Sequence, residues 1–136
     1  MKLQNREDIV QEFHSKFKHP IDEQWTTTLL ELRLKLIREE SGEVMEEFVN
    51  MLMDLERGKP VSTVQKTKLL KELCDLQYVL SGAAVALGLD IQTAFNRVHN
   101  SNMSKLGDDG KPVYREDGKI IKGSNYKPPN LKDLVE

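Results

Sequence analysis

The chain has one cysteine and one tryptophan, and no apolar run in it approaches the length of a membrane span. Cys74 alone cannot close an internal disulfide, nor can a cysteine-rich metal site or a redox pair be built from it, so it is expected to be a structural thiol. An excess of charge is missing too. With 20 Lys+Arg against 22 Asp+Glu, the formal net charge of −2 gives no global attraction to a nucleic-acid polymer or an anionic membrane. The first ten residues are polar where a secretory signal needs an apolar stretch, and a cytoplasmic protein is expected.

What is present, in 136 residues, is enough for one core and one site. Asn5 caps a first helix to about Phe17, and His19-Pro20 ends it, because the residue before proline is pushed out of helical space. After a linker containing Trp25, Thr28-x-x-Glu31 reads as a capping box. It opens a long second helix to about Glu56, stopped by Arg57-Gly58-Lys59-Pro60. Ser62-x-x-Gln65 is another capping box, for a third helix ending at a Gly88 C-cap; Asp90 caps a fourth, reaching about Ser104. Beyond Leu106 the composition turns to Gly, Pro, Lys and Asp, with one hairpin signal around Glu116-Asp117-Gly118. The expected fold class is all-α, a four-to-five-helix bundle. Residues 1–106 would form the helical domain and 107–136 a hairpin and loop tail packed on it.

Helices two and three share a chemical pattern. At about 100° per residue, Leu29, Leu36, Ile37, Val44, Phe48, Met51 and Leu55 fall within roughly 80° of Glu40, which lies in the middle of that apolar face. Glu43 sits at its edge, Glu47 points near it and Glu39 flanks it. On helix three, Leu69, Leu76, Val79, Leu80, Ala83 and Leu87 surround Glu72 in the same way, with Asp75 at the edge. Each helix therefore carries an acid-x-x-acid pair on the side that should be buried. Packing the two together brings four carboxylates into one place, and isolated buried carboxylates cost several kcal/mol each, about as much as a lost ion pair. Something positive must balance them. An all-oxygen set fits Mg2+, with Mn2+ as a substitute, better than zinc. Gly42, inside helix two, is expected to allow close approach of another helix or a substrate. Ser81-Gly82-Ala83-Ala84 suggests tight helix packing.

Glu39-Glu40-Ser41-Gly42-Glu43 followed by Glu72-Leu73-Cys74-Asp75 resembles the two-part acidic signature of the MazG-like all-α NTP pyrophosphohydrolases. The similarity extends to His99-Asn100-Ser101-Asn102-Met103-Ser104-Lys105 and Asn125-Tyr126-Lys127-Pro128-Pro129, as in small phosphoribosyl-ATP-pyrophosphohydrolase-like and dUTPase-type members. The resemblance implies that Glu40, Glu43, Glu72 and Asp75 ligate metal and that Glu39 assists a second metal or the attacking water. It also implies a nucleoside triphosphate, with dUTP or another pyrimidine deoxynucleotide favoured, split to the monophosphate and pyrophosphate. Asn102, Lys105 and Lys127 are candidate phosphate donors, and Tyr78, one turn after Asp75, a candidate for sugar or phosphate. By analogy with relatives, Phe13, His14 and Trp25 are candidates for the base pocket. A homodimer is expected, since the apolar stripes exceed what one small bundle covers. The competing readings are phosphoribosyl-ATP hydrolysis and a non-catalytic helical assembly module. A di-iron carboxylate bundle is disfavoured, because its Glu-x-x-His pattern is absent from helix three.

Overall fold

The computed structural model describes residues 4–136 and divides into two compact units, Met1–Gly88 and Leu89–Glu136. The first holds α1 (Arg6–Lys16), α2 (Thr27–Glu56) and α3 (Thr63–Leu87). The second holds α4 (Ile91–Met103), the hairpin strands β1 (Val113–Tyr114) and β2 (Ile120–Ile121), and a 3-10 turn at Lys132–Leu134. The chain is all-α with one small hairpin. Among the described residues no single helix is long and apolar enough to cross a membrane.

Most boundaries follow the capping chemistry. The Asn5 side chain accepts from Asp8 N while the Asp8 carboxylate accepts from Asn5 N, and Ser62 and Gln65 make the same reciprocal pair. Gly88 closes α3 in the left-handed region at φ 67°, where a Cβ would overlap the Asp22 carboxyl group. At the end of α2, Lys59 N donates to Asp54 O and Gly58 N to Leu55 O, a Schellman closure. One expected boundary moves. The cap of α2 is Thr26, whose hydroxyl accepts from Leu29 N, and the Thr28-x-x-Glu31 box does not form. Three consecutive threonines offer equivalent caps, and Thr26 is the one with extended backbone.

α2 and α3 run antiparallel, since pairings step up one helix and down the other. Asp54 accepts from Gln65 Nε2 at 2.8 Å, Glu47 pairs with Lys68 at 2.9 Å, and Arg33 lies against Gly82. α1 packs on the C-terminal half of α3, which explains why Ser81, Gly82, Ala84, Val85 and Ala86 are buried together. The expected inward stripe is only partly realised. Leu29, Val44 and Met51 are buried, but Phe48 and Leu55 are exposed, because α1 is short and leaves that end of the pair uncovered within one chain; Leu80 is exposed as well, on the side of α3 away from Ser81 and Gly82. No helix packs against Gly42, as a Cβ there would meet nothing within 4 Å. Cys74 is exposed, contrary to the structural role expected of it.

The linker between α1 and α2 has a function invisible to helical periodicity. Asp22 N donates to Val85 O, Glu23 N to Ala86 O and the Trp25 indole to Leu87 O, so three of the carbonyls left open at the end of α3 are satisfied. In the second unit, the tail is fastened to α4. Ser101 Oγ donates to Lys127 O at 2.7 Å, Lys127 N donates to Ser104 Oγ, and Arg97 forms a bidentate pair with Asp133.

His14 is buried, and its Nδ1–H donates to Pro20 O at 2.7 Å, which leaves the other ring nitrogen without a proton. Burial foremost, only partly offset by the Pro20 bond, and the Arg33 charge hold its pKa below the ordinary 6.5. The unfolded chain therefore takes up a proton first. The stability that His14 contributes is complete above the unfolded value and is lost as pH falls through the lower folded value. Thermal melts from pH 7.5 to 5.5 should show a fall in Tm that His14→Asn, which keeps a donor for Pro20, makes shallower. Parallel profiles for the two proteins would rule out His14 as the cause.

Candidate metal centre

Two helical facts create the site. Residues three apart share a helix face, and α2 and α3 are held side by side at that level by the clamps described above. Glu40 and Glu43 from α2 and Glu72 and Asp75 from α3 each offer a carboxylate oxygen, and these four oxygens all lie within 4.8 Å of one another. Glu72 is only 8% exposed, Glu40 and Asp75 are half-buried, and Glu43 is exposed. Among the described residues, the buried Oε2 atoms of Glu40 and Glu72 have no hydrogen-bond partner.

The electrostatics are those of crowded like charges. Hydrogen bonding to the Glu43 carboxylate, then burial and the Glu43 charge, push the Glu72 carboxyl above its usual range. Cations reach only the rim. Lys71 pairs with Asp75 at 2.5 Å and Lys68 with Glu47 at 2.9 Å, and both amines are held protonated above the ordinary lysine range by those partners. Neither lysine satisfies the two orphaned oxygens. A divalent cation fits the donor set, since it takes several oxygens at once and neutralises charge that one ammonium cannot. Glu40, Glu43, Glu72 and Asp75 would hold it.

Glu39 is exposed and lies outside the four-acid cluster. Tyr78 borders a cavity of about 190 Å³ that Ile9, Val10, Cys74, Gln77 and Ser81 also line. Phe13 meets the Tyr78 ring edge-on at 5.5 Å and stacks on Phe17 at 4.4 Å, so an aromatic wall stands beside that cavity. His14 is buried under this wall, not open to it. Trp25 is exposed but tied to the end of α3. In the second unit, Asn102 is exposed and Lys105 half-buried, while the Lys127 backbone is the part bound to α4. Among the other tail cations, Arg115 pairs with Asp117, and Lys122 lies over the Tyr126 ring at 4.5 Å.

Arg33 is not among the residues that the sequence pattern singles out. It is buried on α2, and its Nε has no partner. The signal was available: seven residues before Glu40, it lies within about 20° of it on the helical wheel.

The model of the phosphoribosyl-ATP pyrophosphohydrolase family matches residues 10–102, about two thirds of the chain. No curated protein matches it. Among solved structures, a protein of Exiguobacterium sp. 255-15, described by inference as an NTP pyrophosphohydrolase, is 24% identical with a TM-score of 0.46, and the alignment covers 96% of this chain and 92% of that one. The family match encloses all five signature acids together with Phe13, His14, Tyr78 and Asn102, and ends before Lys105 and Lys127. With both halves of the acidic signature inside the matched segment, the chain belongs to the phosphoribosyl-ATP pyrophosphohydrolase family, among the MazG-like all-α nucleotide pyrophosphohydrolases.

Proposed function

We propose that the chain is a magnesium-dependent hydrolase of (deoxy)nucleoside triphosphates, with dUTP or another pyrimidine deoxynucleotide as substrate and the monophosphate and pyrophosphate as products. The observation that carries this reading is the convergence of four carboxylates, two of which keep a buried oxygen without a hydrogen-bond partner among the described residues. Magnesium, or manganese in its place, suits an all-carboxylate set, and when bound it neutralises phosphate charge and stabilises the oxygen that leaves. Glu40, Glu43, Glu72 and Asp75 would hold that ion, and with it the reacting end of the substrate would be fixed beside α2 and α3. Glu39, free of the cluster, accepts the proton of the water that attacks phosphorus at the α,β bridge. The P–O bond of the bridge breaks and its electron pair leaves on pyrophosphate. Asn102, Lys105 and Lys127 are assigned to phosphate oxygens, Tyr78 to the sugar and Phe13 to the base side of the pocket, where the buried His14 supports Phe13 from behind. Phosphoribosyl-ATP is the second reading, favoured by the family match itself. A homodimer is the proposed assembly, supported by the exposed Phe48, Leu52 and Leu55 of α2 and Leu70 and Leu73 of α3.

Incubating a panel of nucleoside triphosphates and phosphoribosyl-ATP with Mg2+ should yield monophosphate-level products and pyrophosphate, and EDTA should stop the reaction. Release of orthophosphate with a diphosphate would overturn the assigned bond, and undiminished turnover without metal would overturn the metal centre.

Glu40→Gln and Glu72→Gln keep side-chain size and remove ligand charge. Each should lower turnover at least ~100-fold and abolish calorimetric Mn2+ binding, while the metal-free melting temperature holds or rises as repulsion is relieved. Near-normal turnover in a folded variant would exclude that residue from the centre.

Light scattering at micromolar concentration should give twice the chain mass. A fully active monomer would refute the dimer.

A further inference from the structure

The seam between α2 and α3 holds a second unsatisfied charge, of the opposite sign. Arg33 is 6% exposed, its Nε has no partner, and among the described residues no hydrogen bond or ion pair reaches its guanidinium. Guanidinium stays charged even where burial lowers its pKa, as it does here. A buried cation without a counter-charge is costly, so either the fold tolerates the cost or a ligand removes it. Among the described residues no carboxylate pairs with it. A Cβ at Gly82 would meet His14 Nε2 at 3.2 Å and Arg33 Nη1 at 3.5 Å, so the neutral imidazole and the bare backbone of Gly82 are two groups beside the guanidinium, and neither carries negative charge.

Register places this charge relative to the carboxylates. Arg33 precedes Glu40 by seven residues, and Gly82 follows Asp75 by seven on the antiparallel partner, so the cation lies two turns, about 10.5 Å, along the same seam. Between the two levels comes Tyr78, against which Phe13 packs. A ligand spanning the two levels would thus have the carboxylates at one end and a cation at the other, with the Phe13–Tyr78 pair on the α1 side of α3 between them.

Resting on the pyrophosphohydrolase reading, we propose that Arg33 is a specificity-determining residue: its guanidinium receives phosphoryl oxygens of the substrate that the carboxylate level does not hold. The planar fork suits a phosphate in a way that an ammonium does not. The phosphoryl group comes either from the pyrophosphate half of a triphosphate or from a phosphate on a second ribose at the opposite end of the nucleotide.

The test is a thermal titration in metal-free buffer, with pyrophosphate and ribose 5-phosphate as probes, on wild type, Arg33→Met and Arg33→Lys. Wild type should gain melting temperature with one probe. Arg33→Met should bind that probe at least ~10-fold more weakly yet melt no lower than wild type without it, since it has lost an unpaired buried charge. Arg33→Lys should fall between. A response to ribose 5-phosphate assigns the group to a substrate phosphorylated at both ends; a response to pyrophosphate assigns it to the departing half. The proposal is overturned if wild type responds to neither probe, if Arg33→Met responds as wild type does, or if Arg33→Met melts lower in anion-free buffer, which marks a structural cation. Should Arg33→Met fail to fold, it counts with that last outcome unless Arg33→Lys folds and loses the response. Mn2+ calorimetry on the same samples reads the carboxylate centre separately, so a failed hydrolase reading and a failed anion subsite give different results.

Discussion

Mutual repulsion among Glu40, Glu43, Glu72 and Asp75 is the constraint around which the first unit is arranged. Four carboxylates with oxygens inside 4.8 Å of one another would drive two helices apart, and the lysines that answer them sit at the rim. The helices stay together because they are clamped elsewhere. Gln65 ties the start of α3 to Asp54 near the end of α2 while also capping its own helix, and the other end of α3 is packed between α1 and the seam. The stability that holds the site is thus kept outside it. That is a usual condition for a binding centre whose charge is balanced only when loaded.

Putting the acids on two long helices, and not on loops, also sets what the centre can do. Spacing of three residues on a helix fixes each pair on one face, and rigid backbone holds the donor oxygens where a hard cation needs them without a conformational search. No side-chain nucleophile is needed, because the chemistry is water attack on phosphorus and the protein supplies position and charge. Burial is graded across the acids: Glu72 is buried, Glu40 and Asp75 are half-buried, and Glu43 and the neighbouring Glu39 are open to solvent, so one side of the cluster is accessible.

Much of this was legible in the chain. Asn5, Ser62, Gly88 and Asp90 announce their helix ends through local hydrogen bonding, and that chemistry survives tertiary context. The acid pairs were legible because a carboxylate at the centre of an apolar stripe contradicts ordinary burial. Where several residues could serve equally, as at Thr26-Thr27-Thr28, only the structure chooses. Phe48 and Leu55 were misplaced because a wheel gives direction and not the length of the partner that covers it. Arg33 has no signature of its own, since a lone cation on a long helix reads as solvated, although the same wheel places it almost directly above Glu40. The bonds from Asp22, Glu23 and Trp25 to the end of α3 had no sequence signature at all, since they join segments more than sixty residues apart through backbone carbonyls.

Trp25 is the sole indole of the chain, and its ring stands in solvent while its N–H is held by the carbonyl of Leu87. Its emission is therefore an intrinsic gauge of one joint: whether the inter-helical linker is latched to the last turn of α3. Release of that latch frees the indole from a fixed dipole and exposes three carbonyls to water at once, so fraying there is visible by fluorescence without a label and can be timed separately from unfolding of the whole chain.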